Sequence, residues 1–460
     1  MGLFTGMFED SAKRIRFNTG TWFDIITGIY EPGFADGLYL NGGLGTCTTG
    51  LHGRGNTYKS TLMDSIIMGC LRLYEGMHCI TNDTEYSKVK ERIMRFTQGA
   101  RFGNADVSDR FVLISDPNCG IEWTNKAITD LCNRREAMKK DLMITTPFFD
   151  SHCKPIEIMM PTIVFIDSWS ELTTTAMIKF LSEKGLDDDK FRTLYMENGN
   201  RKTILLTFLN QMATKYGLIV CATARTGDNR SLDYMPPAKE LVHQKQKDKI
   251  KDVGSKFTTL VHVLTQVQSC KPCQDSSNEA EYPLGVTGPL DLNRVEINSS
   301  RNKSNMSGPL IPMIVSQEWG LLSEVSYFDF LRTHAKSSIG TGRPNFSCPF
   351  LPDVKFTRKS LREDLMDNYQ LCRALELAAR YQYIKMSWNL SSLPVSFEAD
   401  VEKVFDKLTS KDQLMQDILE STSVWAPIDP SKKSKHGEVL GAGGRKHMSL
   451  FEVLHAIQKA

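Results

Sequence analysis

Two rhythms of apolar and polar positions run along the chain. Short β-branched or apolar runs that end in polar residues predict strands at 44–51, 78–85, 161–168, 217–225, 258–267, 294–298 and 309–316. Apolar residues at three-and-four spacing predict helices from Thr61 onward (Leu62, Ile66, Ile67, Cys70, Leu71), over the basic stretch 126–140 and over 204–216. The fold class that follows is α/β, with a mostly parallel central sheet flanked by helices. Ahead of the first strand, Thr19-Gly20-Thr21 to Asp24 and Gly33 to Gly37 alternate turn-formers with an apolar knot, a compact lead-in beneath that strand.

The pattern changes toward both ends. Residues 1–18 are amphipathic and basic (Lys13, Arg14, Arg16), an arm that either packs or meets a partner. The core is assigned to 19–336. From 337 the composition shifts to a mainly helical module over 337–426, with helices at 357–387 and 397–422. Residues 427–447 are rich in Lys, Gly and Ser and predict a flexible linker. Residues 448–460 (Leu450, Phe451, Leu454, Ile457) form an amphipathic helix, either a docking tail or a packed terminal helix. No internal repeat is present.

The chemistry concentrates at a few strand ends. Gly53-Arg54-Gly55-Asn56-Thr57-Tyr58-Lys59-Ser60 follows the G-x-x-x-x-G-K-[ST] pattern of a P-loop, with Tyr58 in place of the last glycine. Small residues let successive backbone N–H groups curl around a phosphate, and Lys59 reaches the β/γ-phosphates. Ser60, followed by Thr61, can hold Mg²⁺ at the positive end of a helix. A Gly-rich turn that merely precedes Lys-Ser is the bland alternative. The strand from His78 ends in Asp83-Thr84-Glu85, where a carboxylate can orient and deprotonate a water; Glu85 is the candidate base. The plainer reading is that Asp83 or Glu85 caps a helix starting near Tyr86. The run Pro161 to Asp167-Ser168 is a Walker-B pattern, with Asp167 holding Mg²⁺ directly or through water. Thr226 to Gly254 is a long charged stretch, either a functional loop or a solvated helix over 239–252. Ser299 to Ser304 reads as a basic hairpin carrying Arg301 and Lys303, a solvated turn or a phosphate contact from a neighbouring subunit.

Bulk composition narrows this only moderately. A chain of 460 residues has a natural prior of two or three domains, and 41% hydrophobic with 24% charged residues is ordinary for a globular protein. A net charge of +2 leaves any nucleic-acid contact to local basic patches. No secretory signal or membrane span is expected, and Gly6 rules out the myristoylation pattern suggested by the opening Met-Gly. The eleven cysteines are irregularly spaced and read as reduced thiols. Cys270 and Cys273 form one tight pair, but Cys348 stands alone, so a zinc site is not expected.

The order of these parts resembles the RecA-type ATPase core, and most closely the strand-exchange recombinases, including the phage UvsX branch. An aromatic before the P-loop lysine, as in Tyr58-Lys59-Ser60, is similar to that phage branch. The resemblance covers roughly residues 17–330 and implies an ATP-dependent, DNA-stimulated ATPase that uses Mg²⁺. Its expected partners are single- and double-stranded DNA, further copies of itself in a helical filament, a single-stranded-DNA-binding protein and a loader. It implies no membrane, and the cytoplasm, of the host cell for a phage protein. On this resemblance Gly53 to Thr61 bind the phosphates, Glu85 is the catalytic carboxylate and Asp167 the Walker-B acid. Arg225 falls where the family places a γ-phosphate-sensing Gln or His, and Arg92 where an adenine-stacking Tyr is usual. The segment after Ser168 and the loop 226–254 match its two DNA-binding loops. Arg301 and Lys303 match a basic pair that reaches the neighbouring subunit's ATP. A hexameric replicative helicase with the same core and a catalytically weak DNA-coating mediator are the alternatives.

Overall fold

The computed structural model describes residues 14–96, 106–184, 190–228, 241–244, 247–254, 256–284, 291–303, 310–335, 345–388, 412–428 and 440–459. Most of the arm (1–13), the middle of the charged loop (229–240), the last residue of the expected basic hairpin (Ser304), the start of the second expected C-terminal helix (397–411) and part of the expected linker (429–439) lie outside these residues.

A ten-stranded, mostly parallel sheet forms the centre. Its strands are β1 (Thr48–Gly53), β2 (His78–Asp83), β3 (Phe111–Ile114), β4 (Thr162–Asp167), β5 (Leu218–Asp228), β6 (Asp248–Ile250), β7 (Val263–Pro272), β8 (Leu292–Asn302), β9 (Ile311–Ser316) and β10 (Gly320–Leu321). Across the sheet the order is β10-β9-β8-β7-β1-β5-β4-β2-β3, with β6 pairing antiparallel to the end of β5. The run from β7 to β3 is parallel throughout, while β8, β9 and β10 add antiparallel strands. β1 is flanked by β5 and β7, both later in the chain. Ligand crevices form at such reversals, outside the carboxyl ends of the strands.

The strands are apolar on both faces because both are covered. Ile163 and Phe165 of β4 join one core with α1 (Lys59–Leu73). Val164 and Ile166, alternate residues on the same strand, join a second core with α2 (Ile121–Ala137) and α3 (Lys190–Tyr216).

The C-terminal elements share the first core. α4 (Ser323–His334) and α5 (Tyr369–Ser387) enclose Trp22 of the lead-in, whose ring lies 4.9 Å from Tyr327, 4.8 Å from Phe330 and 5.8 Å from Tyr383. Asp24, fully buried beside it, accepts from the Thr19 backbone (2.6 Å) and hydroxyl (2.8 Å), from Gly20 N (2.9 Å) and from Arg380 (3.4 Å). Beyond α6 (Gln413–Glu420), Trp425 packs among Phe17, Tyr74 and Phe148 and donates to Arg16 O at 3.2 Å. Where composition predicts a linker, the residues described at 440–447 pair with 422–425, and His447 stacks on Tyr39 at 4.4 Å. α7 (Leu450–Lys459) brings Phe451 onto Tyr30 at 4.6 Å. Among the described residues no helix is long and apolar enough to cross a membrane.

Three local expectations are corrected. The strand expected over 258–267 opens as a short helix (Phe257–Leu260) and becomes β7 only at Val263, and the alternative helix over 239–252 holds strand β6 at Asp248–Ile250. Ser299 to Asn302 are not a turn; they continue β8 and pair with β7. The polar composition that signals a turn is overridden by the ladder, because a partner strand satisfies the backbone groups that a turn would leave to water. A register shift leaves Ser300 as the extra residue between the pairs Thr265–Ser299 and Leu264–Arg301.

Candidate phosphate site at the strand ends

The Gly53–Ser60 loop joins β1 to α1. A Cβ on Gly53 would lie 2.9 Å from Val267 Cβ and 3.1 Å from Thr57 Oγ1, so only glycine fits there. Asn56 and Tyr58 adopt left-handed backbone (φ 56° and 60°), which costs a non-glycine residue about 1–2 kcal/mol. Tyr58 offsets this by packing its half-buried ring against the core and taking the Asn293 side-chain amide on its hydroxyl at 2.9 Å. A tyrosine therefore serves in the glycine position because β8 supplies an anchor for it. No side chain caps α1, so its first N–H groups and the positive end of its dipole are left for an anion. Lys59 Nζ donates to the loop's own carbonyl, Arg54 O, at 2.6 Å, and Thr57 Oγ1 donates to the same oxygen at 2.8 Å. Burial lowers the Lys59 pKa, and Arg225 acts in the same direction; Glu85 and Asp167 oppose the shift without cancelling it.

Asp167 closes β4 two strands away from β1. Its carboxylate accepts from the Thr223 hydroxyl of β5, from Lys88 Nζ at 2.9 Å and from the Ser60 hydroxyl at the start of α1. Burial by itself would raise the Asp167 pKa, but Lys88 and the two hydroxyls outweigh it and hold the group below its usual range. Lys88 also pairs with Asp64, one turn into α1 from Ser60. The three side chains are 4% (Lys88), 5% (Asp64) and 2% (Asp167) exposed. Burial pushes Asp64 up to about 6 despite Lys88, and its Oδ1 is buried without a hydrogen-bond partner. Burial would lower Lys88, but the two carboxylates raise it. Sequence reasoning missed both Lys88 and Asp64. The four-residue step from Ser60 to Asp64 puts them on one helix face and was a usable signal. Nothing in the chain distinguishes Lys88 from its exposed neighbours.

Asp83, at the end of β2, organises the following turn by accepting from Glu85 N (3.3 Å), Lys88 N (2.8 Å) and the Ser115 hydroxyl (3.2 Å). The next helix starts only at Lys90, so neither Asp83 nor Glu85 caps a helix at Tyr86. Glu85 instead faces Arg225 across 3.5 Å, and Arg225 reaches Glu171 at 3.1 Å. The Arg225 backbone N–H donates to Ser170 Oγ at 2.9 Å, tying the end of β5 to the segment after Ser168. Lys59, Ser60, Glu85, Asp167 and Arg225 are thus gathered at one end of the sheet.

The other predicted residues lie apart. Arg92 is exposed, donates to Gln317 O at 3.0 Å and has its guanidinium 5.8 Å from the Phe96 ring. Arg301 and Lys303 sit toward the opposite end of the parallel strands, near the start of β7. Burial, with Arg14, Lys303, Arg16 and Arg301 close by, lowers His262 there to about 4. The Arg301 Nε is buried without a hydrogen-bond partner. At the strand ends, fully buried His52 joins three parts: Nδ1 meets Thr226 Oγ1 at 2.9 Å, and Nε2 meets Ser300 Oγ at 3.2 Å.

No family model and no curated protein matches the chain. The donor set fits the phosphates of a nucleoside triphosphate. An uncapped helix start and a lysine whose hydrogen bond among the described residues goes to its own loop suit the phosphates. For the metal, no group of three or more His, Cys, Asp or Glu is placed to hold an ion among the described residues. The Ser60 hydroxyl with Asp167 acting through water fits Mg²⁺ carried in with phosphate oxygens.

Proposed function

We propose that this chain is an ATP-hydrolysing DNA recombinase of the RecA type that forms filaments on single-stranded DNA. The observation that carries the reading is the convergence of the Gly53–Ser60 loop, Glu85 and Asp167 at the carboxyl ends of parallel strands flanking the point where chain order reverses. Bound Mg²⁺ would neutralise phosphate charge. Lys59 would leave the Arg54 carbonyl for the phosphates, Ser60 would ligate the ion, and Asp167 would orient its water shell. Glu85, held near Arg225, would accept the proton of the attacking water. Arg301 and Lys303, near the start of β7, would serve a neighbour's site in a head-to-tail assembly. The lysine-rich stretch around 239–251 supplies basic groups for a DNA backbone.

Lys59→Ala should abolish ATP binding. Glu85→Gln should keep binding and lose roughly 100-fold or more of turnover, the usual worth of a general base. Normal turnover by Glu85→Gln would refute the assignment of the base. Electron microscopy with single-stranded DNA and a slowly hydrolysed ATP analogue tests the assembly: extended filaments are expected, whereas six-membered rings would move the reading to a helicase. Hydrolysis that neither occurs alone nor rises with DNA would leave a coating protein.

A further inference from the structure

We propose that Arg54 links phosphate binding in the Gly53–Ser60 loop to the pairing of the end of β5 with β6 at Asp228 and Asp248. The proposal rests on the nucleotide half of the reading above and on none of its DNA half. Arg54 is attached at two points. Its carbonyl takes Lys59 Nζ and Thr57 Oγ1, at 2.6 and 2.8 Å. Its guanidinium takes Asp228 at 2.7 Å and Asp248 at 3.1 Å. Asp228 closes β5 and Asp248 opens β6, and the two face each other in the antiparallel ladder. Like charges in that position repel, and Arg54 reaches both carboxylates.

The two arms differ in strength. Arg54 and Asp228 are 56% and 51% exposed, so that contact is screened by water, but Asp248 is 6% exposed. The second oxygen of Asp248 accepts from buried Gln266 Nε2 at 2.6 Å, which ties it to β7 beside the loop. When Lys59 turns to a phosphate, the Arg54 carbonyl keeps only the Thr57 hydroxyl of its two donors, and the loop must reshape around the residue whose side chain pins the end of β5 to the start of β6. An incoming anion also competes with the carboxylates for the guanidinium. The linkage is reciprocal: whatever separates Asp228 from Asp248 changes phosphate affinity by the same factor.

The test is hydrogen exchange over 218–228 and 247–254, together with the affinity for a slowly hydrolysed ATP analogue with Mg²⁺. It compares the wild-type chain, Asp228→Asn and the double variant Asp228→Asn/Asp248→Asn. Saturating analogue should speed wild-type exchange at Gly227 and Lys249, the pair next to the two carboxylates in the ladder, about fivefold, the low end of ordinary coupling. The double variant should exchange at the raised rate without nucleotide and bind the analogue about fivefold more tightly. Asp228→Asn, an exposed change that leaves packing alone, should fall between. Unchanged or slowed exchange in a wild-type protein that binds the analogue, or wild-type affinity in both variants, would overturn the link alone. No binding by the wild-type chain would overturn the link and the nucleotide reading together.

Discussion

Replacing Lys88 by methionine keeps the length of the side chain and deletes its charge. In the folded protein that ammonium serves two carboxylates, 2.9 Å from Asp167 and paired with Asp64, and lies 4.6 Å from the Phe165 ring centroid. Removing one partner of a buried ion pair costs about 3–5 kcal/mol, because the remaining charge has neither water nor counter-ion. Here two carboxylates would be left, so the expected loss lies in the upper half of that range. The loss should also depend on pH. Asp64 is raised already, to about 6, by burial, and without Lys88 it rises further. A raised folded-state pKa means that stability is present at low pH and lost as pH rises through that value. The deficit of Lys88→Met should therefore be smaller at pH 5 than at pH 8. Urea unfolding followed by tryptophan fluorescence at both pH values measures it. Adding Asp64→Asn to Lys88→Met should recover about 1–3 kcal/mol, a coupling typical of residues in one charge network. A deficit below about 0.5 kcal/mol, the range of ordinary surface changes, or an equal deficit at both pH values, would refute the reasoning.

Two further outcomes follow from buried polar contacts. Tyr58→Phe leaves the Asn293 amide without the hydroxyl it now meets at 2.9 Å, so stability should drop by about 1 kcal/mol, read from the urea midpoint. Nucleotide affinity should weaken with it, because the left-handed turn before Lys59 loses its anchor; an unchanged dissociation constant would show that the loop holds its shape unaided. Burial depresses His52 and His447 to about 3, so in acid the unfolded chain binds protons that the folded one refuses. Stability should fall as pH drops below about 6.5, by about 1.4 kcal/mol per unit for each histidine, and His447→Gln should remove one such share from the slope.

The strands that reach Asp83, Asp167 and Arg225 were legible in the chain, although the last runs on to Asp228, as was the helix that follows the Gly53–Ser60 loop. A strand buried on both faces must be apolar until it reaches its exposed end, and an amphipathic helix shows its buried face as apolar residues at three-and-four spacing. Those are local requirements, and local requirements leave their mark on sequence. Lys88, Asn293, Asp248 and the extended course of Ser299–Asn302 left no such mark. Each depends on a partner many residues away: Asp64 and Asp167 for Lys88, Tyr58 for Asn293, Arg54 and Gln266 for Asp248, and β7 for the strand. The packing of 440–447 against 422–425 and Tyr39 belongs with them. A lysine, a glycine or a serine looks the same in a linker and in a buried contact. Only the folded chain decides which of them is desolvated, and desolvation turns an ordinary polar residue into one that needs a particular partner.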